Sequence, residues 1–308
     1  MKLGSALLSA CVIASFSTPA LAQKGPSAAT TTDNPITGIT LDEISDTGPN
    51  AITLDGVTAR VESVPGNDET MLPVFVIEDA SGEVLRFEGE ASFFSFLPVT
   101  LRLVQMDPTS AQPEVIATSY TGGAHCCERI QIAAVQPDGS WAMSEMGLFD
   151  GGYGIEDANE DGYGEIELAD QSFLYTFDCY ACSYPPPLFY KIIDGQAVNV
   201  SADPDFYPVF LAALSGFDDL RTMTDQPGQA AGWAAHYARI GEGEQALAEI
   251  ESQGIAGATT YDICTSDVSN YDCPPDDIRQ VGFAEFLRSH LVEQGYLQDA
   301  SGPGGKSK

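Results

Sequence analysis

The segment RIQIAAVQPDGSWAMSEM, residues 129–146, decides the fold class, because two strand-like runs flank the turn dipeptide Asp138-Gly139. An Asp-Gly pair between such runs signals a β-hairpin, since both residues tolerate the positive φ of a tight turn. Similar dipeptides recur at Asp55-Gly56, Ser81-Gly82 and Asp194-Gly195. The sequence therefore predicts an antiparallel β domain over residues 36–200.

A change of pattern follows this domain. The predicted strands extend from Ala51–Leu54 to Ala197–Val200 and include an aromatic run, Phe173–Phe177. After Pro204 the apolar residues take the spacing of helices that bury one face. The sequence thus predicts a smaller all-α domain over residues 201–297, and a disordered tail over residues 298–308.

An internal repeat links two parts of the β domain. An acidic turn at Asp107 leads into a strand and then to the pair Cys126-Cys127. About 50 residues later, a turn at Asp157 leads into a strand and then to Cys179 and Cys182. Repeats of this length are typical of propeller blades and related meanders. Two units do not close a propeller, so we predict a blade-like repeated β-meander.

The N-terminus has the features of a secretory signal peptide. Lys2 precedes an apolar run from Leu3 to Phe16, and Ala20-Leu21-Ala22 provides a small-residue cleavage site. A signal peptide over residues 1–22 predicts a periplasmic or secreted protein. The polar residues 23–35 that follow are predicted to form a flexible linker.

A lipoprotein signal is the alternative interpretation of the N-terminus. Leu8-Ser9-Ala10-Cys11 matches a lipobox, in which Cys11 would be acylated. The apolar run continues past Cys11 through Val12-Ile13-Ala14, whereas a lipoprotein signal normally ends its apolar region at the cysteine. No other segment of the sequence is apolar enough to span a bilayer.

The charge of the chain narrows the choice of partners. Lys and Arg number 13 against 45 Asp and Glu, which gives a formal net charge of −32. Such a surface repels nucleic acids and anionic lipids. The expected partner is therefore a protein or glycan ligand rather than a nucleic acid.

The cysteines indicate disulfides. Beyond Cys11, six cysteines form three close pairs, an even number that suits an exported chain. Cys264 is predicted to pair with Cys273, since both lie far from the others. Pairing of Cys126 with Cys127 and of Cys179 with Cys182 is favoured, and cross-links between these two pairs remain open.

The segment Asp157-x-Asn159-x-Asp161-Gly162-x-x-Glu165 has the pattern of a calcium loop. Oxygen donors at alternate positions, with a glycine that allows the sharp turn, can surround a hard cation. The predicted ligands are Asp157, Asn159, Asp161, the Tyr163 carbonyl and Glu165. Leu168 stands where an EF-hand has its last glutamate, which excludes an EF-hand.

Two resemblances accompany these motifs. The loop resembles the calcium loops of FG-GAP and VCBS repeat proteins, which precede a strand; this implies one Ca²⁺ site at Asp157 and a degenerate turn at Asp107. The stretch Gly122–Cys127 resembles a Gly-Gly-Ala-His-Cys-Cys stretch of exported bacterial proteins. That second resemblance implies location and supplies no activity.

No arrangement in the sequence identifies a reaction. Of the three histidines, His236 and His290 lie at helical spacing among apolar residues and are predicted to be partly buried, while His125 lies in a glycine-rich loop. Cys179-x-x-Cys182 lacks the helix N-terminus that a redox motif needs. We therefore predict a calcium-stabilised binding or scaffold module without catalysis. The alternative is a hydrolase or metal enzyme centred on His125 and nearby acidic residues.

Overall fold

The computed structural model describes residues 38–41, 50–67, 70–92, 99–123, 126–257, 259–266 and 273–298. These residues belong to one compact unit, Pro35–Lys308. The predicted signal peptide with Cys11, the predicted linker and His125 lie outside the described residues, as does the predicted tail after Gln298.

Three antiparallel sheets make up the N-terminal part, as predicted from the turn dipeptides. A meander in the order β2-β3-β4-β5 comprises β2 (Ala51–Leu54), β3 (Val57–Pro65), β4 (Met71–Asp79) and β5 (Gly82–Glu88). A five-stranded sheet in the order β1-β6-β7-β8-β9 comprises β1 (Gly38–Leu41), β6 (Val99–Val104), β7 (Glu114–Tyr120), β8 (Glu128–Val135) and β9 (Trp141–Phe149). A third, in the order β10-β11-β12-β13, comprises β10 (Gly154–Glu156), β11 (Glu165–Ala169), β12 (Pro187–Ile193) and β13 (Gln196–Asn199).

The tight turns follow from the sequence. At the β2–β3 turn Asp55 has φ 47° and Gly56 has φ 85°, and at the β12–β13 turn Asp194 and Gly195 have φ 51° and 74°. Positive φ at both central residues defines the hairpin turn whose twist matches its strands.

The five-stranded sheet is covered on both faces. Val115 and Ala117 of β7 pack in a core with Phe75 of the β2–β5 meander. Ile116, between them in sequence, packs in a second core with Ile166 and other residues of the third sheet. Because successive side chains of a strand point to opposite faces, β7 lies in the central layer of three.

The C-terminal part contains four short helices, as predicted, and also a β-hairpin. The helices are α1 (Tyr207–Ala213), α2 (Pro227–Arg239), α3 (Gly243–Gln253) and α4 (Phe283–Glu293). Strands β14 (Thr260–Cys264) and β15 (Ile278–Gly282) pair between α3 and α4, so the all-α prediction is wrong in this detail. Both strands have only five residues, and Val281 is the one buried residue among them, so they give a weak strand signal in the sequence. No helix among the described residues is long and apolar enough to cross a membrane.

The predicted strand at Phe173–Phe177 is absent, and a 3₁₀ turn (Gln171–Phe173) begins there instead. The Asp170 carboxylate accepts the Ser172 backbone N–H at 3.0 Å, which caps this turn. Tyr175 has φ 59°, which is incompatible with an extended strand. Phe173 and Phe177 enter the core of the helical region. The proposed boundary at residue 200 stays a prediction, because this core takes residues from both sides of it.

Helix α2 approaches the loop before β12 through two glycines. A Cβ atom at Gly228 would collide with the carbonyl oxygen of Cys182, and one at Gly232 with the carbonyl oxygen of Tyr184. Both collisions would be with backbone, which cannot move as a side chain can. The helix and the loop therefore pack backbone against backbone.

Candidate functional site

The acidic loop between β10 and β11 is held by its own side chains. The Asp157 carboxylate accepts the Asp161 N–H at 2.9 Å and the Gly162 N–H at 3.0 Å. Asn159 Oδ1 also accepts the Asp161 N–H, at 3.2 Å, and Asp161 Oδ1 accepts the Tyr163 N–H at 3.0 Å. Gly162 has φ 94°, the left-handed conformation predicted for it.

Glu165, the first residue of β11, contacts the backbone of the loop through its buried side chain. The residue is fully buried, and its Oε2 accepts the Ala158 N–H at 2.9 Å. The other carboxylate oxygen, Oε1, makes no hydrogen bond and lies 3.4 Å from Lys191 Nζ. Burial raises the pKa of Glu165 above its ordinary value. A buried carboxylate of this kind is stable in its charged form only beside a cation.

Lys191 of β12 supplies such a cation. Its ammonium group forms an ion pair with Asp161 as well as with Glu165. Partial burial acts to lower the pKa of Lys191, but these contacts outweigh it and the net shift is upward. Burial also acts to raise the pKa of Asp161, but hydrogen bonds from Lys191, the Tyr163 N–H and Asn159 together outweigh it, and the pKa is lowered. The structure thus brings two of the predicted ligands, Asp161 and Glu165, to one cationic group.

Sequence reasoning missed Lys191, although one signal pointed to it. No Lys or Arg occurs between Arg129 and Lys191, so it is the first positive charge after the acidic loop. Asp157 and Asn159 direct oxygens to backbone N–H groups of the loop instead. The metal assignment of all five predicted ligands stays a prediction.

A second acidic turn repeats part of this geometry. Glu114, the first residue of β7, is 1% exposed, and its Oε2 accepts the Met106 N–H at 2.6 Å. The Asp107 carboxylate accepts the backbone N–H and the hydroxyl of Thr109, both at 2.7 Å. Burial raises the pKa of Glu114 to about 7. In both turns, a buried glutamate at the start of a strand holds the backbone of the preceding loop.

The six described cysteines pair as three disulfides. Cys126 joins Cys127, Cys179 joins Cys182, and Cys264 joins Cys273 across the loop between β14 and β15. Across the described ranges, one group of candidate ligands lies within 4.8 Å of one another, Asp178 with Cys179 and Cys182. Because both sulfurs of that group are joined in a disulfide, it offers no thiolate. That these six cysteines are oxidised in the protein in solution stays a prediction.

The two described histidines are buried, more fully than the partial burial predicted for them. His236 Nδ1 donates to the Gly232 carbonyl at 2.7 Å, and His290 Nε2 lies 3.2 Å from the Ser172 hydroxyl. Burial lowers the pKa of both imidazoles. Near His290, the Asp170 carboxylate accepts the Ser172 N–H and the hydroxyl of Tyr296. These contacts tie α4 to the chain that follows β11.

Fold and site together define a β-rich protein of layered antiparallel sheets with a small helical C-terminal region. Residues 211–295 match the family model described as the sll0997 C-terminal domain. Over 248 residues the chain is 31% identical to the "probable thylakoid lumen protein sll0997" of Synechocystis sp., a match that covers 75% of this chain and 69% of that protein. The chain therefore belongs to the sll0997 family.

A further relative is much longer than the region it shares. The uncharacterized protein y4bJ of Sinorhizobium fredii is 30% identical over 220 residues, which cover 70% of this chain and 35% of that protein. No solved structure matches the chain significantly.

Proposed function

We propose that this chain is an exported, disulfide-stapled binding or scaffold protein without catalysis, in which Ca²⁺ stabilises the Asp157–Glu165 loop. Two features support export. The sequence begins with a signal-peptide pattern, and the relative sll0997 is named as a probable protein of the thylakoid lumen. An oxidising compartment is also where three disulfides persist.

The convergence of Asp161 and Glu165 on one cation carries the calcium part of the proposal. The predicted side-chain ligands carry three formal negative charges, on Asp157, Asp161 and Glu165, and Lys191 neutralises one of them. Glu165 Oε1 is buried without a hydrogen bond, so this oxygen is available as a ligand for a divalent ion. Ca²⁺ would supply two positive charges to oxygen ligands. The proposed ligands are the side chains of Asp157, Asn159, Asp161 and Glu165 with the Tyr163 carbonyl.

The repeated turns support the module part of the proposal. Each buried glutamate fixes an acidic turn before an inner strand of a sheet, and the resemblance to FG-GAP and VCBS loops likewise implies turns that precede a strand. In this proposal the turn at Asp107 keeps the backbone geometry without the metal. Such turns present loops for a protein or glycan ligand, while the sheets supply a rigid frame.

Competition between Ca²⁺ and Lys191 provides the test. We expect millimolar Ca²⁺ to raise the melting temperature of the wild-type protein and a chelator to lower it. Stabilisation reaches about 2.7 kcal/mol at a hundredfold excess over Kd. Lys191→Met removes the competing ammonium, so its Ca²⁺ affinity by calorimetry should rise about tenfold, the value of one charge-assisted contact.

Matched variants separate this outcome from a general effect of charge. Arg129→Met removes a cation that pairs with Glu145 away from the loop, and it should leave the Ca²⁺ affinity unchanged. Asp157→Ala and Asp161→Ala should abolish binding. If neither the wild type nor Lys191→Met binds Ca²⁺, the loop is an acidic turn neutralised by Lys191 and the calcium proposal fails.

A further inference from the structure

A buried arginine without a carboxylate partner lies at the end of α2. Arg239 is 7% exposed, and its guanidinium carbon lies 3.6 Å from the centre of the Tyr296 ring. Its Nη1 donates to the Gly295 carbonyl over a long 3.5 Å, and its Nε is buried with no hydrogen-bond partner. None of the ion pairs formed within the described ranges includes Arg239.

Among the described arginines, Arg239 shares this isolation with Arg102, whose Nε is also buried without a hydrogen bond and whose guanidinium lies over Tyr153. Acidic residues number 45 against 13 basic ones, and most other arginines pair with one of them. Ion pairs to Asp or Glu are formed by Arg60, Arg86, Arg129, Arg221, Arg279 and Arg288. All six of these are more exposed than Arg239. A buried guanidinium with an unused donor costs free energy, because its N–H groups have lost water without gaining acceptors.

Nearby groups compensate the charge of Arg239 in part. The C-terminal end of a helix carries partial negative charge, and Arg239 lies in the last turn of α2. The face of Tyr296 also attracts a cation, and the hydroxyl of Tyr296 donates to Asp170 at 2.7 Å. These interactions act on the charge and on the face of the guanidinium. They leave its in-plane Nε–H donor unsatisfied.

A cavity of about 260 Å³ opens at this arginine. Its lining includes Arg239, Tyr207 and Gln298, with Ala202, Ala238 and Leu297 as apolar neighbours. A phenol and an amide thus accompany the guanidinium in a wall whose exposed surface is more polar than apolar. We propose that this cavity binds a small organic monocarboxylate, whose oxygens accept hydrogen bonds from the guanidinium of Arg239.

The chemistry of the cavity favours a carboxylate over other anions. A planar guanidinium matches the two oxygens of a carboxylate in geometry. The net charge of −32 opposes the approach of multiply charged anions more strongly than that of a single charge. The volume lies just below the range of pockets for drug-sized ligands, so it suits a molecule of few atoms. The apolar residues can contact the carbon part of such a molecule.

Ligand-observed saturation-transfer NMR on the full chain tests this site. Sodium acetate and sodium lactate serve as probes, with sodium phosphate titrated at matched ionic strength. We expect saturable transfer to the methyl protons of at least one carboxylate, and phosphate should not compete for it. Arg239→Gln should weaken binding by about 10- to 100-fold, the usual value of hydrogen bonds from a charged donor.

Two further variants keep the test decisive. Gln298→Ala alters an exposed wall of the cavity, so the protein should fold normally and bind the carboxylate several-fold more weakly. Arg221→Gln, which changes an exposed arginine paired with Asp219, should bind like the wild type. The proposal is overturned if neither carboxylate binds, if phosphate displaces them, or if Gln298→Ala and a folded Arg239→Gln both keep wild-type affinity.

Discussion

Replacing Phe173 by alanine is expected to lower the free energy of unfolding by about 3–5 kcal/mol, the range for a large aromatic residue in a tight core. Phe173 is 1% exposed, and its ring centre lies 4.8 Å from that of His290 and 5.7 Å from that of Tyr296. It therefore joins the segment after β11 to α4 and to the chain that follows α4. Truncation would open a cavity between these elements.

Denaturant unfolding, followed by fluorescence and far-ultraviolet circular dichroism, measures this loss. Tyr175→Ala is the matched control, because this aromatic residue lies two positions away and is 66% exposed. Its effect should stay within about 0.5 kcal/mol, as for most surface substitutions. Equal losses for the two variants would contradict the packing described for Phe173.

Raising the pH from about 4.5 to 7 is expected to remove about 3 kcal/mol of stability through Glu114. Burial raises the pKa of this carboxyl from 4.5 to about 7, and Asp107 adds repulsion. Below pH 4.5 the group is protonated in both the folded and the unfolded protein. Between these values the unfolded chain loses the proton while the folded protein keeps it, so unfolding becomes easier as the pH rises.

Glu114→Gln isolates this contribution. The amide keeps an oxygen for the Met106 N–H and cannot ionise, so the variant should lose less stability than the wild type over this range. Over this range, exposed carboxylates such as Glu62, whose pKa Arg86 lowers to about 2, stay ionised in the folded protein. Glu165 and Glu167 shift in the same direction as Glu114, so the difference between the two proteins is the relevant quantity. Parallel pH profiles would show that Glu114 titrates normally.

Local signals in the sequence were sufficient for most of the fold. Turn dipeptides such as Asp194-Gly195 predicted hairpins, because their φ values are set within two residues. The helical spacing of apolar residues predicted α1 to α4, although α2 proves to be buried on nearly all sides. The aromatic run Phe173–Phe177 misled this approach, since large apolar residues suit a strand and a core turn equally well. The choice depended on Asp170, whose cap starts the turn.

The candidate sites depended on contacts that no local pattern contains. The acidic loop was predicted from its spacing, but Lys191 lies on another strand and reaches Asp161 only after β11 and β12 pair. Arg239 resembles an ordinary cation at a helix end until Tyr296 and Gly295 fold over it. Sequence periodicity shows which face of a helix or strand is buried, but it does not show which other element packs against that face.

The packing of α2 on the loop before β12 also bears on how this family can evolve. Where backbone meets backbone, no compensating change of a side chain can restore the fit. Any substitution at Gly228 or Gly232 therefore disturbs the packing. Gly216 has open space around its Cα, so it can be replaced by other residues without a collision. Relatives that retain this arrangement should keep the first two glycines and vary the third. Invariance at Gly228 and Gly232 would then record a steric constraint of the fold, and it should not be mistaken for the signature of an active site.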